Sequence, residues 1–95
     1  MNAPAGLEIT PHDEPGSHRT GSLRGLMPGD IERALGFPPN IEDDPGKVTH
    51  SWGFKAGGEV CGVWSYKGSE KRGAWSTFGP PEILAQVFGV NHVVP

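Results

Sequence analysis

Between Val48 and Phe78 the chain falls into three short runs with the two-residue period of β-strands: V-T-H-S-W-G-F, V-C-G-V-W-S-Y-K and A-W-S-T-F. All three tryptophans, the single tyrosine, two of the four phenylalanines and the only cysteine lie inside this stretch. Gly57-Gly58 separates the first two runs and suits a tight hairpin turn with positive φ at both positions. With Ala56 opposite Glu59, Phe54 faces Cys61, Trp52 faces Val63 and His50 faces Ser65 on one side of the ribbon. On the other side Lys55 meets Val60, Gly53 meets Gly62, Ser51 meets Trp64 and Thr49 meets Tyr66. A polar loop, Gly68 to Gly73, leads to the third run, and pairing Lys67 with Ala74 sets Val63 against Phe78 and Tyr66 against Trp75. One face then collects Trp52, Phe54, Cys61, Val63 and Phe78, which reads as core. The other collects Trp64, Tyr66, Trp75, Thr49, Ser51 and Thr77 around a dent left by Gly53 and Gly62, which reads as an amphipathic platform.

Helical spacing flanks this sheet. Ile31, Ala34 and Leu35 recur at i, i+3 and i+4 after Met27-Pro28, and Gly36 supplies a left-handed stop, which predicts a helix of about two turns. Asp30 and Glu32 fall near its positive end, where acids are favoured. Downstream, Gly79-Pro80-Pro81-Glu82 announces a second helix with the apolar stripe Ile83, Leu84, Val87 and Phe88, closed by Gly89. Between the first helix and the sheet, Phe37 to Gly46 carries three prolines and reads as a loop ending in a Pro45-Gly46 turn. The resulting expectation is a small α+β domain over residues 26–95, in the order helix, three-stranded antiparallel sheet, helix, with both helices on the Trp52/Phe54 face.

The first 25 residues hold three prolines, four glycines and no apolar period, so they read as a disordered arm. The remaining core-forming stretch is short for independent stability, and partner binding or oligomerisation is a common remedy in chains of this size. No run approaches the length of a membrane span, and the N-terminus lacks the basic start and apolar stretch of a signal peptide. A lone cysteine excludes an internal disulfide and suits a reducing cytosol. The formal charge of −3 argues against a protein that coats nucleic acid. That charge is unevenly spread, because Asp30 to Asp44 sums to −4, from five acids and Arg33, and Lys47 to Arg72 sums to +3, from five bases against Glu59 and Glu70.

Candidate chemistry is sparse. No base is placed beside Cys61, and His12, His18, His50 and His92 lack metal-ligand spacing, so neither a catalytic set nor a metal or cofactor site is expected. The acidic run Glu42, Asp43, Asp44 lacks the ligand array of a calcium loop and reads as a solvated loop. Lys67-Gly68-Ser69 has the residue types to meet a phosphate but not the following helix of a phosphate loop. The aromatics are the most informative set. Trp64, Tyr66 and Trp75 read either as core or, on the platform face, as a binding surface with Lys67 and Ser69 at its rim.

The order W-x-F, a short turn, V-W-S-Y-K-G-S, then W-S-T-F-G resembles small uncharacterised proteins of bacteriophages and prophages, over Leu35 to Gly79 and chiefly through Trp52, Phe54, Trp64, Tyr66, Lys67 and Trp75. Ser65 stands where many of those proteins have an acidic residue. The resemblance implies a small cytosolic protein acting during infection or lysogeny, by binding rather than catalysis. The leading expectation is therefore a non-enzymatic protein that inhibits or redirects a bacterial protein, an anti-defence role of the anti-CRISPR type being one case. Two alternatives stand beside it: a module that sequesters a nucleotide signal by stacking on Trp64, Tyr66 and Trp75 with Lys67 on the phosphate, and a homodimeric structural or regulatory accessory protein.

Overall fold

The computed structural model describes residues 8–12, 19–42 and 48–94. Six strands form one antiparallel sheet: β1 (Ile9–Pro11), β2 (Gly21–Leu23), β3 (Val48–Ala56), β4 (Glu59–Tyr66), β5 (Trp75–Phe78) and β6 (Val93–Val94), in the spatial order β1-β3-β4-β5-β2-β6. Two eight-residue helices, α1 (Pro28–Leu35) and α2 (Pro81–Phe88), complete the fold. The architecture is mostly sheet and corrects the expected helix, three-stranded sheet, helix arrangement. The central β3-β4-β5 ribbon exists, but three further short strands extend it on both sides.

The central hairpin follows directly from its turn. Gly57 and Gly58 both adopt positive φ (58° and 85°), and Ala56 pairs with Glu59, so Phe54 lies across from Cys61, Trp52 from Val63 and Gly53 from Gly62. A register shift between Val48 and His50 then brings Val48, rather than Thr49, opposite Tyr66. At that shift the Thr49 and Ser65 hydroxyls bond to each other at 2.7 Å.

The third strand departs from expectation by one residue. Gly62 pairs with Phe78, Val63 with Thr77 and Trp64 with Ser76. A one-residue slip exchanges the two faces of a strand, so Trp75 and Thr77 join the core and Phe78 leaves it for the opposite face. The connection is a 3-10 turn, Ser69–Arg72, closed by the Ala74 N–H donating to the Ser69 carbonyl at 3.1 Å. The gain is Trp75 itself. Its indole is 2% exposed, donates to the Leu26 carbonyl at 2.7 Å and packs edge-on against Trp52 with ring centroids 5.7 Å apart.

The expected disordered arm is also corrected, because β1 and β2 both fall within residues 1–25. β1 pairs with the outer edge of β3, Ile9 opposite Ala56 and Pro11 opposite Phe54, and β2 lies between β5 and β6 with Leu23 opposite both Trp75 and Val93. Leu23 is fully buried, as deep in the core as Phe54. Residues 1–7 and 13–18 of that leader, and the Asp43, Asp44 and Pro45-Gly46 part of the loop, lie outside the described residues.

Both helices cover one face of the sheet. Ile31 and Leu35 from α1, and Leu84, Val87 and Phe88 from α2, cluster with Trp52, Phe54, Cys61, Val63 and Trp75. Phe54 and Phe88 meet edge to face at 6.2 Å. α1 begins after Met27, which has no capping oxygen, and Asp30 reaches back instead, its carboxylate accepting the Met27 N–H at 2.8 Å. That bond first, and then Arg33 with which the carboxylate also pairs, holds the Asp30 pKa below the ordinary carboxylate value. Gly36 ends α1 in the left-handed conformation. α2 starts at Pro81 with Pro80 as its N-cap, one residue later than the sequence suggests, and Glu82 sits in its first turn.

Candidate functional site

Strand parity and the one-sided helix layer leave the second face of the sheet uncovered by helices. β3 contributes Ser51, Gly53 and Lys55 to it, β4 contributes Val60, Gly62, Trp64 and Tyr66, and β5 contributes Ser76 and Phe78. Ser22 and Val94 extend it through β2 and β6. Gly53 and Gly62 pair across the strands and leave a shallow dent, with Phe78 beside it on β5. Ser51 and Ser76 flank Trp64 in register and are both buried although no helix lies over them. At Ser51 the Asn40 and Ile41 N–H groups both donate to its carbonyl at 3.2 Å, so the loop after α1 borders this serine, and the half-buried Trp64 stands between the two.

The expected site residues do not stay together. Tyr66 is 49% exposed, Lys67 is exposed, and Trp64 and Ser69 are half-buried. Trp75 lies in the core on the opposite face, so the stacking platform of three aromatics expected from the sequence does not form. The reason is energetic. In the core, Trp75 buries its large ring against Trp52 and satisfies its N–H on the Leu26 carbonyl, whereas Phe78, which needs no hydrogen-bond partner, can sit half-buried on the other face.

What the fold does bring together is a cleft of about 260 Å³ at the β5-β2 side of this face. Tyr66 and Ser69 line it from the end of β4 and the following turn, Ser22 and Ser76 from its floor, and Arg19 and Arg24 from the two ends of β2. Ser22 and Ser76 are direct cross-strand partners, so their side chains stand side by side on one face. No carboxylate lines the cleft among the described residues. The sequence offered little to mark Arg19, Ser22, Arg24 and Ser76, because three of the four lie in the leader and converge only when β2 joins β5.

The chain segments carrying the two arginines are pinned. The Thr20 N–H donates to the Thr77 carbonyl at 2.8 Å, and its hydroxyl accepts the Gly79 N–H at 3.2 Å. At the other end the Arg24 N–H donates to the His92 carbonyl at 2.8 Å, and the His92 Nδ1–H donates to the Arg24 carbonyl at 2.7 Å. The backbone beside each guanidinium is thus fixed before any ligand arrives.

A second depression, of about 430 Å³, lies at the far edge of β3 between Pro39, Ile41 and Glu42 on one side and Val48 to Ser51 on the other. His50 contributes to it and stacks on Trp52 with centroids 6.0 Å apart, its Nδ1 buried without a partner among the described residues. Beside it, Asn40 completes the strand edge. Its carboxamide accepts from the Gly53 N–H and donates to the Gly53 carbonyl, both at 2.9 Å, as a strand neighbour would.

Cys61 is fully buried, and its thiol donates weakly to the Glu59 carbonyl at 3.7 Å. Burial, with the nearby Glu59 charge as the lesser cause, pushes its pKa up to about 12. A thiol so rarely ionised is a poor nucleophile. Among the described residues no three His, Cys, Asp or Glu side chains converge, and no helix is long and apolar enough to cross a membrane. The chain matches no protein-family model, no curated protein and no solved structure.

Proposed function

We propose that this chain is a non-enzymatic binding protein that captures an acidic surface of a partner protein on the helix-free face of its sheet. The observation that carries this reading is the asymmetry between the two sides. The helix layer displays Asp30, Glu32 and Glu82 with Arg33 paired to Asp30, whereas the uncovered face presents Trp64, Tyr66, Phe78 and Val60 among the exposed cations Lys55, Arg19 and Arg24. Aromatic side chains ringed by cations suit a desolvated centre with a basic rim, and complementary charge speeds the encounter with an acidic partner. The phage-like W-x-F … V-W-S-Y-K-G-S pattern supports a bacterial protein in the host cytosol as that partner, held in an inhibited or redirected state.

Capture from bacterial lysate by wild-type protein and by the Trp64→Ala/Lys67→Ala double variant tests this. The expected result is an acidic protein retained by wild type, released by rising salt, and lost from a double variant that melts within a few degrees of wild type. Equal retention by the double variant overturns the reading. So does a stable homodimer through the same face, seen as a doubled mass in solution that Trp64→Ala halves.

A further inference from the structure

We propose that the cleft between Arg19, Arg24 and Tyr66 is a binding site for a small phosphate-bearing molecule with an aromatic ring, a mononucleotide being the simplest case. The inference goes beyond the protein-partner reading: it shares Arg19, Arg24 and Tyr66 with that face, but Trp64 and Lys67, on which the partner test rests, do not line this cleft.

The polar groups of the cleft are of one kind. Two guanidiniums, three serine hydroxyls and one phenol line it, with no carboxylate among the described residues. Guanidinium forks match the oxygen geometry of phosphate, and serine and tyrosine hydroxyls donate to the remaining oxygens. Two guanidiniums lining one depression, with no carboxylate beside them among the described residues, form a site that an anion stabilises. Arg33, by contrast, is already satisfied by Asp30 on the helix side.

Position separates the tasks. Arg19 and Arg24 stand about 16 Å apart along the backbone by the rise of an extended strand, a gap their long side chains can close from both ends. Ser22 and Ser76 form the floor between them. Tyr66, half exposed, lies at the β4 side, where its ring offers a face on which an aromatic base can stack. The volume, about 260 Å³, lies below the roughly 300–1,000 Å³ of sites that enclose drug-sized ligands, which suits one phosphate and its sugar with the base outside on Tyr66. The hydrogen bonds of Thr20 and Arg24 to Thr77, Gly79 and His92 hold the two arginine-bearing segments in place in advance, which lowers the ordering cost of binding.

Calorimetric titration of the full chain at low ionic strength with 5′-AMP, adenosine and inorganic phosphate is the test. AMP should bind saturably, adenosine should not, and inorganic phosphate should compete with AMP. Arg19→Gln/Arg24→Gln should weaken AMP at least about tenfold with an unchanged circular dichroism spectrum, and Arg33→Gln, which removes a cation on the helix side, should leave it unaltered. Tyr66→Ala, at an exposed side chain, should weaken AMP while sparing inorganic phosphate, and it serves if the arginine variant fails to fold. The proposal is overturned if neither AMP nor phosphate binds at millimolar concentration. Undiminished AMP binding in the arginine variant, or in Tyr66→Ala, overturns it as well.

Discussion

The two faces of this sheet use the same residue types in opposite ways. Under the helices, Trp52 and Trp75 are buried with their indole N–H groups donating to the Phe37 and Leu26 carbonyls, and Phe54 meets Phe88. On the other face, Trp64 is half-buried between two small serines, Tyr66 is half exposed, and glycines occupy the centre. The first face is built of large side chains with fixed partners; the second sets Trp64 and Phe78 among glycines and serines at its middle and carries its cations at its margin. A surface of the second kind contributes less to folding and is correspondingly free to contact something else.

The largest test of this contrast is removal of the leader. A chain beginning at Leu26 loses β1 and β2, and with them Leu23 from the core. Burial of that leucine alone is worth about 2–5 kcal/mol by analogy with core Leu→Ala changes, and the strand hydrogen bonds to β5 go with it. The shortened chain should fail to give a cooperative melting transition. A transition within a few degrees of the full chain would mean that the two strands add nothing to the helix-covered face.

Next in size is the comparison of two tryptophans. Trp75→Ala should destabilise by about 3–5 kcal/mol, since it opens a cavity beside Trp52 and leaves the Leu26 carbonyl without its donor. Trp64→Ala should cost clearly less, because its ring is already half in water. Chemical denaturation of both variants measures the difference, and equal losses would erase the distinction between the faces.

The smallest effect concerns Cys61. Its folded-state pKa, about 12, lies above its ordinary value of 9.0. A buried neutral thiol costs nothing below pH 9, and stability declines as pH climbs from there towards 12, because only the unfolded chain releases the proton freely. At pH 10 the loss is about 1 kcal/mol. Denaturant midpoints of wild type and Cys61→Ala between pH 8 and pH 10 should therefore converge as pH rises. Parallel curves would show that the thiol is not shielded by the core.

Short-range order determined how much of this could be read from residues alone. The Gly57-Gly58 turn forces one register on β3 and β4, so the pairing from Ala56/Glu59 back to His50/Ser65 follows from the sequence by itself. Pro28, Gly36, Pro81 and Gly89 likewise delimit two helices whose apolar stripes name their buried residues. Tertiary structure decided the rest. In β5, W-S-T-F can face either way with similar local preference, and only the carbonyl of Leu26 and the ring of Trp52 select Trp75 for the core. β1, β2 and β6 are two or three residues long, too short to show a period, and they become strands only because the edges of β3 and β5, and for β6 the edge of β2, offer unpaired backbone groups to join. The arginine cleft depends on that docking. Arg19 and Arg24 are far from Tyr66 and Ser69 in sequence, and the pairing of Ser22 with Ser76 is what places all four around one depression.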